Sequence, residues 1–366
     1  MIHSLLVLIS LAVFVFLVSY WTTKLLCAPN SKLYLLDNPN ERSLHASPTL
    51  RTGGLAILAS LGVGLFMLLV LNEAGRPQPD TLSNSETDFG SGTIFLITGT
   101  AFVLAIVSFW DDRAGLSPSV RFCVHVLSAA GIVWWSRMTI DTVAVPLFGT
   151  FSLGWLAALF TILFIVWMTN LYNFMDGIDG LASGMTVVGF VFLSSLGWTG
   201  GHSLIAPLSL LVVGATAGFL PYNMPPARIF MGDVGSVPLG FLAGVFVVMG
   251  VHDGLFDIWV PVLIFSPFIV DATVTLARRL IRGEKIWLAH REHYYQRLVL
   301  SGWSHRKTLL IEYLLMLACA VSAVMYSELS EQWRLLLLLG WVAVYSLLAI
   351  GVHSLERYGM QCGLAP

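Results

Sequence analysis

The sequence predicts an all-α integral membrane protein of about eleven transmembrane helices, with the N-terminus outside and the C-terminus cytoplasmic. Three observations carry this reading. Of the 366 residues, 57% are hydrophobic and only 11% charged, and the mean hydropathy is +0.81, whereas about a quarter of the residues in a soluble domain are charged. Mostly apolar runs recur along the whole length, each long enough as a helix to cross about 30 Å of hydrocarbon. Lysine and arginine gather in alternate connections, and these residues favour cytoplasmic loops.

Taken in order, the runs fall near Ile2 to Leu26, Gly53 to Leu71, Thr93 to Trp110, Val120 to Ser136, Leu153 to Asn170, Leu181 to Trp198, Ser203 to Pro221, Ser236 to Val251, Asp257 to Ala277, Thr308 to Met325 and Trp333 to Ser354. The first run has no charged n-region and no small-residue cleavage site, so it is expected to persist as a span. Connections after odd-numbered spans, with the C-terminal tail, hold Lys24, Lys32, Arg42, Arg51, Arg113, Arg121, Arg228, the group from Arg278 to Lys307, and Arg357; the other side holds Arg76, Arg137 and Arg334. That imbalance sets the orientation. The polar stretch from Asn72 to Gly92 reads as an outer loop. Cys27, Cys123, Cys319 and Cys362 show no CxxC spacing, which suggests neither a disulfide framework nor a zinc site. The net charge of -2 says little about partners, because distribution matters more than sum.

The acidic clusters all fall on the side assigned to the cytoplasm. "FWDDRAGLSPSVRF" (Phe109 to Phe122) follows span three, "NLYNFMDGIDG" (Asn170 to Gly180) span five, and "PYNMPPARIFMGDVGS" (Pro221 to Ser236) span seven. A basic segment, Arg278 to Lys307, follows span nine. Each has a structural reading of its own: a polar helix end for Asp111-Asp112, a glycine turn for the pair Asp176 and Asp179, a loop for "MGDVGS". Together they are harder to dismiss, because carboxylates brought to one membrane face repel unless cations neutralise them. Oxygen-rich sites of this kind suit Mg2+ or Mn2+, which leave positions for water and substrate phosphate. The arginine-rich loop supplies donors for phosphate oxygens. Asp271, inside span nine, is either a functional intramembrane carboxylate or a structural one that holds the Pro267 kink or pairs with a neighbouring helix.

The order DD, N-x-x-N-x-x-D-G-x-D-G, F-M-G-D-x-G-S and then a basic His-containing loop resembles the polyprenyl-phosphate N-acetylaminosugar-1-phosphate transferases, the WecA and MraY superfamily. The resemblance runs from "SPTLRTGGLA" (Ser47 to Ala56) to the loop near Arg297. Its "HREHYYQRL" (His290 to Leu298) departs from the D-R-x-H-x-H-H of WecA-like members and from the histidine cluster of MraY, and it is similar to the WbpL-type enzymes that start O-antigen.

The resemblance implies one polytopic transferase domain over residues 1–366, with catalytic cytoplasmic loops near 28–52, 110–121, 170–180, 221–236 and 278–307. It further implies a bacterial inner-membrane location, undecaprenyl phosphate and a UDP-N-acetylaminosugar as substrates, release of UMP, no nucleic acid partner, and a homodimer left open. Asn173 and Asp233 would be the metal ligands, for Mg2+ with Mn2+ as the alternative. Asp111, Asp112, Asp176, Asp179, His290 and His293 would be catalytic. Arg51, Arg121, Asn223, Phe230, Arg291, Tyr294, Tyr295 and Gln296 would bind substrate, with Asn223 and Phe230 at uracil; the loop from His290 to Arg297, the most divergent of the cytoplasmic motifs, is expected to select the sugar. The competing class is a transporter with intramembrane carboxylates. Against it, no chain of ionisable groups continues to the outer face.

Overall fold

A computed structural model of the chain describes residues 5–28, 35–37, 39, 44, 48–74, 91–285, 287–288 and 290–361. Lys32, Arg42, Arg76, Cys362, most of the stretch from Asn72 to Gly92, and much of the loop near 28–52 lie outside the described residues. The elements run α1 (Leu5–Leu26), β1 (Leu36–Asp37), β2 (Thr49–Leu50), α2 (Gly53–Ala74), α3 (Ser91–Ala114), α4 (Pro118–Ser136), β3 (Thr142–Val145) and β4 (Gly149–Ser152). A 3-10 turn (Gly154–Leu156) then leads into α5 (Ala157–Met175), α6 (Leu181–Thr199), α7 (Ile205–Asn223), α8 (Asp233–His252), α9 (Trp259–Ile264), α10 (Ser266–Ile281), α11 (Tyr294–Leu300), α12 (His305–Glu328) and α13 (Glu331–Gln361).

The chain is an all-α integral membrane protein. Among the described residues, ten helices are long and apolar enough to cross a membrane, against the eleven runs counted in the sequence. The difference is the ninth run, which divides into α9 and α10 at Phe265. Pro267 has no N–H to offer the carbonyl four residues back, that of Leu263. The Ser266 hydroxyl donates to that carbonyl instead, at 2.8 Å. The broken backbone is thus satisfied locally, a requirement where no water is at hand.

Helix α8 is the axis of the fold. Every residue from Val234 to Gly250 is buried, as an all-apolar helix at the centre of a bundle should be. Its neighbours approach over glycine. A Cβ on Gly240 would lie 2.6 Å from the Met168 carbonyl of α5, and Cβ atoms on Gly214 and Gly218 of α7 would lie 2.5 and 2.3 Å from the carbonyls of Ala12 and Phe16 on α1. Small residues four apart are how helices pack closely in lipid, and the Ser19 hydroxyl seals the α1–α7 contact by donating to the Ala215 carbonyl at 2.6 Å. The α8 axis ends at Asp233, so whatever gathers around that residue is held by the most buried helix of the molecule.

Between α4 and α5 the sequence reading left a plain connection. The structure has an antiparallel hairpin there, with Thr142 opposite Ser152 and Val145 opposite Gly149. The Trp259 indole N–H pins it by donating to the Ala144 carbonyl at 2.6 Å.

Candidate active site

Asp233 sits at the first residue of α8, where the helix dipole favours a carboxylate. The strand-like segment before it is laced to the start of α2: Phe230 N–H donates to the Leu50 carbonyl at 2.7 Å, and the N–H groups of Gly53 and Gly54 donate to the carbonyls of Phe230 and Met231 at 2.9 Å each. Gly232 makes the joint possible. Its φ is 70°, a region that favours glycine, and a Cβ there would lie 2.9 Å from the Arg51 carbonyl. The lacing sets Arg51 beside Asp233, two residues that are distant in sequence.

The charges then interlock. Arg51 Nη2 lies 2.6 Å from Asp233 Oδ1 and 3.2 Å from Asp112 Oδ1. Arg121, just inside α4, has Nη1 at 3.1 Å from Asp111 Oδ2 and 3.9 Å from Asp233 Oδ2. Asp111 Oδ1 also accepts the Leu116 N–H at 2.7 Å. Burial works against the Arg51 charge, but Asp233 and Asp112 outweigh it and hold the guanidinium firmly protonated. Asp176 lies near the same group. Burial, with repulsion from Asp233, pushes its carboxyl well above the usual carboxylate range despite the opposing pull of Arg51.

The "DGIDG" turn is a joint as well as a source of charge. Asp179 Oδ2 accepts the Ala227 N–H at 2.9 Å and lies 3.9 Å from His305 Nδ1. Asn223 Oδ1 accepts from Gly180 N–H at 3.1 Å and from the Ser183 hydroxyl at 2.7 Å, while Nδ2 donates to the Ile229 carbonyl at 3.1 Å. Its amide therefore ties three segments together, and one Nδ2 hydrogen remains for a ligand.

The segment from His290 to Gln296 divides. His290, His293 and Gln296 line the cavity described below. Tyr294 and Tyr295, expected at the sugar, do not line it. Tyr295 is fully buried and its hydroxyl donates to the Phe174 carbonyl at 3.1 Å; Tyr294 turns the other way, under the Arg297 guanidinium and against His353 of α13. Consecutive residues of α11 point about 100° apart, so all three cannot face one ligand. Arg291, expected at a phosphate, is exposed and outside the cavity lining.

Two cavities meet at this place. The first, about 410 Å³, is polar and is lined by Arg51, Arg121, Asn173, Asp176, Asp179, Asn223, Phe230 and Asp233 together with the three residues of the α11 segment. Asp37, Leu44, Phe174, Gly177, Ile178, Gly232, Trp287, Leu288 and His305 complete it; the sequence reading named none of these as site residues, although all fall in loops it flagged or in the "MGDVGS" motif. The second, about 690 Å³, is a largely apolar groove between α3, α4, α5 and α10, lined by Leu104, Val107, Phe122, Leu163, Trp167 and Leu276 among others. Arg121, Asn173, Phe174, Asp233 and Trp287 belong to both. Asp111 lines the groove, whereas the Asp112 side chain is only 2% exposed behind Arg51.

Residues 94–251, which run from α3 to the end of α8, match glycosyl transferase family 4. Over 296 residues the chain is 33% identical to a probable undecaprenyl-phosphate N-acetylglucosaminyl 1-phosphate transferase of Bacillus subtilis, covering 80% of this chain and 77% of that one. The chain belongs to glycosyl transferase family 4. A relative in Mycobacterium tuberculosis, a decaprenyl-phosphate N-acetylglucosaminephosphotransferase, is 28% identical over 324 residues, 81% of this chain and 77% of its own. A phospho-N-acetylmuramoyl-pentapeptide-transferase of Limosilactobacillus reuteri is 27% identical over 253 residues, 64% and 74% of the two chains. These names place the chain within the WecA and MraY superfamily. The family 4 match encloses Asp111, Asp112, Asn173, Asp176, Asp179, Asn223, Phe230 and Asp233, and leaves Arg51 and the α10–α11 region outside.

One member of this family 4 site should report on pH. Burial, with repulsion from His293 and Arg279, lowers His290 to about 4. A group depressed from about 6.5 in the unfolded chain contributes stability that is present above pH 6.5 and lost as pH falls towards 4. His290→Gln should therefore flatten the decline in melting temperature between about pH 6.5 and 4. An unchanged acid limb would show that His290 titrates as freely folded as unfolded.

Proposed function

We propose that this family 4 chain transfers an N-acetylaminosugar-1-phosphate from a UDP-sugar to undecaprenyl phosphate, releasing UMP and starting a lipid-linked surface glycan such as O-antigen. The observation that carries this is the meeting of a polar, charge-lined cavity with an apolar groove at Arg121, Asn173 and Asp233. A prenyl chain can stay in hydrocarbon along the groove while its phosphate reaches the cavity, and the UDP-sugar enters from water, on the side that the lysine and arginine count assigns to the cytoplasm. A lipid phosphate oxygen attacks the sugar-proximal phosphorus in line, a new P–O bond forms, and the bond to the UMP oxygen breaks. Such chemistry depends mainly on positioning and charge neutralisation.

The residues have distinct parts in this reading. Arg121, shared by both cavities, meets the lipid phosphate, and Asp111 orients that guanidinium from the groove side. Arg51 faces the diphosphate while Asp112 holds its guanidinium. A phosphate monoester has its second pKa near 6, so most of the nucleophile is already ionised at pH 7 and a base is asked to do little. Sugar choice falls to Gln296 and the neighbouring Trp287 and Leu288.

The side chains fit a hard divalent cation. Asn173 and Asp233 line the cavity with oxygen, and the buried Asp112 Oδ2 has no hydrogen-bond partner among the described residues. No group of three His, Cys, Asp or Glu able to hold a metal occurs among the described residues, but Mg2+ is commonly bound by one or two carboxylates plus water and substrate phosphate. Asn173 and Asp233 would hold it, and when bound it would neutralise charge on the diphosphate oxygens.

Two measurements test the proposal. Purified protein in detergent, given undecaprenyl phosphate and a panel of UDP-N-acetylaminosugars, should release UMP only when Mg2+ is present; release needs no sealed compartment, so its absence with every sugar would favour the transporter class. The different settings of Asp111 and Asp112 predict different losses. Asp111→Asn weakens the carboxylate hold on Arg121 and should raise KM for the lipid phosphate about tenfold, the scale of one charge-assisted hydrogen bond, whereas Asp112→Asn should lower kcat with less change in that KM. Matching profiles for the two variants would contradict the division.

A further inference from the structure

Asp271 lies buried in the first half of α10, and three of its four partners come from the far side of a loop. Its Oδ1 lies 3.1 Å from His293 Nδ1 and accepts from Tyr294 N–H at 3.0 Å and from the Thr275 hydroxyl at 3.1 Å, while Oδ2 accepts from Tyr295 N–H at 3.2 Å. A carboxylate already met by these three donors acts only as an acceptor, which assigns the proton facing it on the His293 ring to Nδ1. His293 itself lines the polar cavity, flanked by the rings of His290 at 4.9 Å and Phe174 at 6.3 Å.

We infer that Asp271 is a positioning residue, which fixes His293 as the Nδ1–H tautomer and leaves the Nε2 lone pair to accept a hydrogen bond from a hydroxyl of the UDP-sugar. The inference rests on the transferase reading above. The hydrogen bond made by one ring nitrogen sets what the other can do, and a carboxylate behind a histidine is a common way of setting it. Two backbone N–H groups share the same carboxylate, so ring and backbone are registered together: the start of α11 cannot shift without moving the imidazole. Asparagine cannot take over this duty. Each carboxylate oxygen already faces a backbone N–H, and an NH2 group in either orientation would set donor against donor.

A merely structural cap on α11 would disturb everything that helix carries, whereas a residue acting through His293 would be coupled to His293 alone. Gln296, the cavity-lining residue of α11, separates the two if its acceptor for the His293 N–H at 3.3 Å is kept, as glutamate keeps it. UMP release by the full-length protein is measured for Asp271→Asn, His293→Gln and Gln296→Glu and for the two double variants that contain Asp271→Asn. Asp271→Asn and His293→Gln should each lower kcat/KM by about ten- to a hundredfold, and their combination should fall less than about threefold below the worse single, as residues acting in series do. Asp271→Asn with Gln296→Glu should show the product of the two losses. Multiplying losses with His293, or equal non-additivity with both residues, would overturn the inference. Nitrogen-15 spectra of histidine-labelled protein serve even if Asp271→Asn fails to fold: the signals missing from His293→Gln should show a protonated Nδ1, and an Nε2–H tautomer would overturn it. Wild-type protein that releases no UMP from any UDP-sugar would instead undo the transferase reading, with the tautomer still measurable.

Discussion

Asp233→Asn should lower UMP release by about a hundredfold or more and raise the Mg2+ concentration needed for half-maximal rate, while the melting temperature changes little. The substitution is nearly isosteric, and the local charge decides its effect. Three carboxylates, Asp111, Asp112 and Asp233, face two guanidinium groups, Arg51 and Arg121, which leaves one net negative charge when all are ionised. Neutralising Asp233 brings that sum to zero, so the attraction for a divalent cation falls away along with one of its two proposed ligands. Removing a single group aimed at developing charge typically costs a hundred- to a thousandfold in rate. The fold is spared because Asp233 Oδ1, replaced by an amide oxygen, can still accept from Arg51. Titrating UMP release against Mg2+ for both proteins checks the prediction, and near-normal turnover with an unchanged Mg2+ requirement would refute it.

The reach of the sequence differed between fold and site for physical reasons. Hydropathy reports how apolar a stretch is, so it located the spans but could not see that one of them divides at Phe265, where the Ser266 hydroxyl satisfies the carbonyl that Pro267 leaves without its donor. The hairpin between Thr142 and Ser152 is too short to carry a periodic signal against its apolar surroundings. The aspartate motifs were legible because acidic residues at membrane-span ends are conspicuous, but their partners were not: Arg51 reaches Asp233 across 182 positions, through backbone pairing that no local pattern encodes. The histidine loop shows the opposite limit. "HYYQ" reads as one surface, although the helix that begins at Tyr294 sends Tyr295 into the core and Tyr294 towards α13, and leaves Gln296 for the cavity. Asp271 was visible as an intramembrane carboxylate with two readings. Only its bonds to residues 293–295 select the pairing role over support of the Pro267 kink.

Arg51→Ala should both destabilise the protein and remove most of its activity, and a second substitution should separate the two losses. Arg51 bridges Asp112 and Asp233 at 3.2 and 2.6 Å, and Asp112, whose side chain is 2% exposed, has no other cation in hydrogen-bonding contact among the described residues. Removing one partner of a fully buried ion pair costs about 3 to 5 kcal/mol. Because the Arg51 side chain keeps 31% of its exposure, a smaller loss of about 1 to 3 kcal/mol is expected. Rate suffers separately, since the cluster becomes more negative by one charge just where an anionic diphosphate must approach; a loss of about a hundredfold or more is expected. Arg51→Lys keeps the charge but offers one compact ammonium in place of a planar fork that reaches two carboxylates, and should sit between wild type and Ala in both measurements. The deciding variant is Arg51→Ala combined with Asp112→Asn. The amide no longer demands a counter-charge, so melting should return most of the way to wild type, whereas UMP release should stay well below that of Asp112→Asn alone because nothing replaces the guanidinium at the phosphate. Activity equal to that of Asp112→Asn alone, with stability restored, would mean that Arg51 serves only to neutralise Asp112, and its place at the diphosphate would have to be given up.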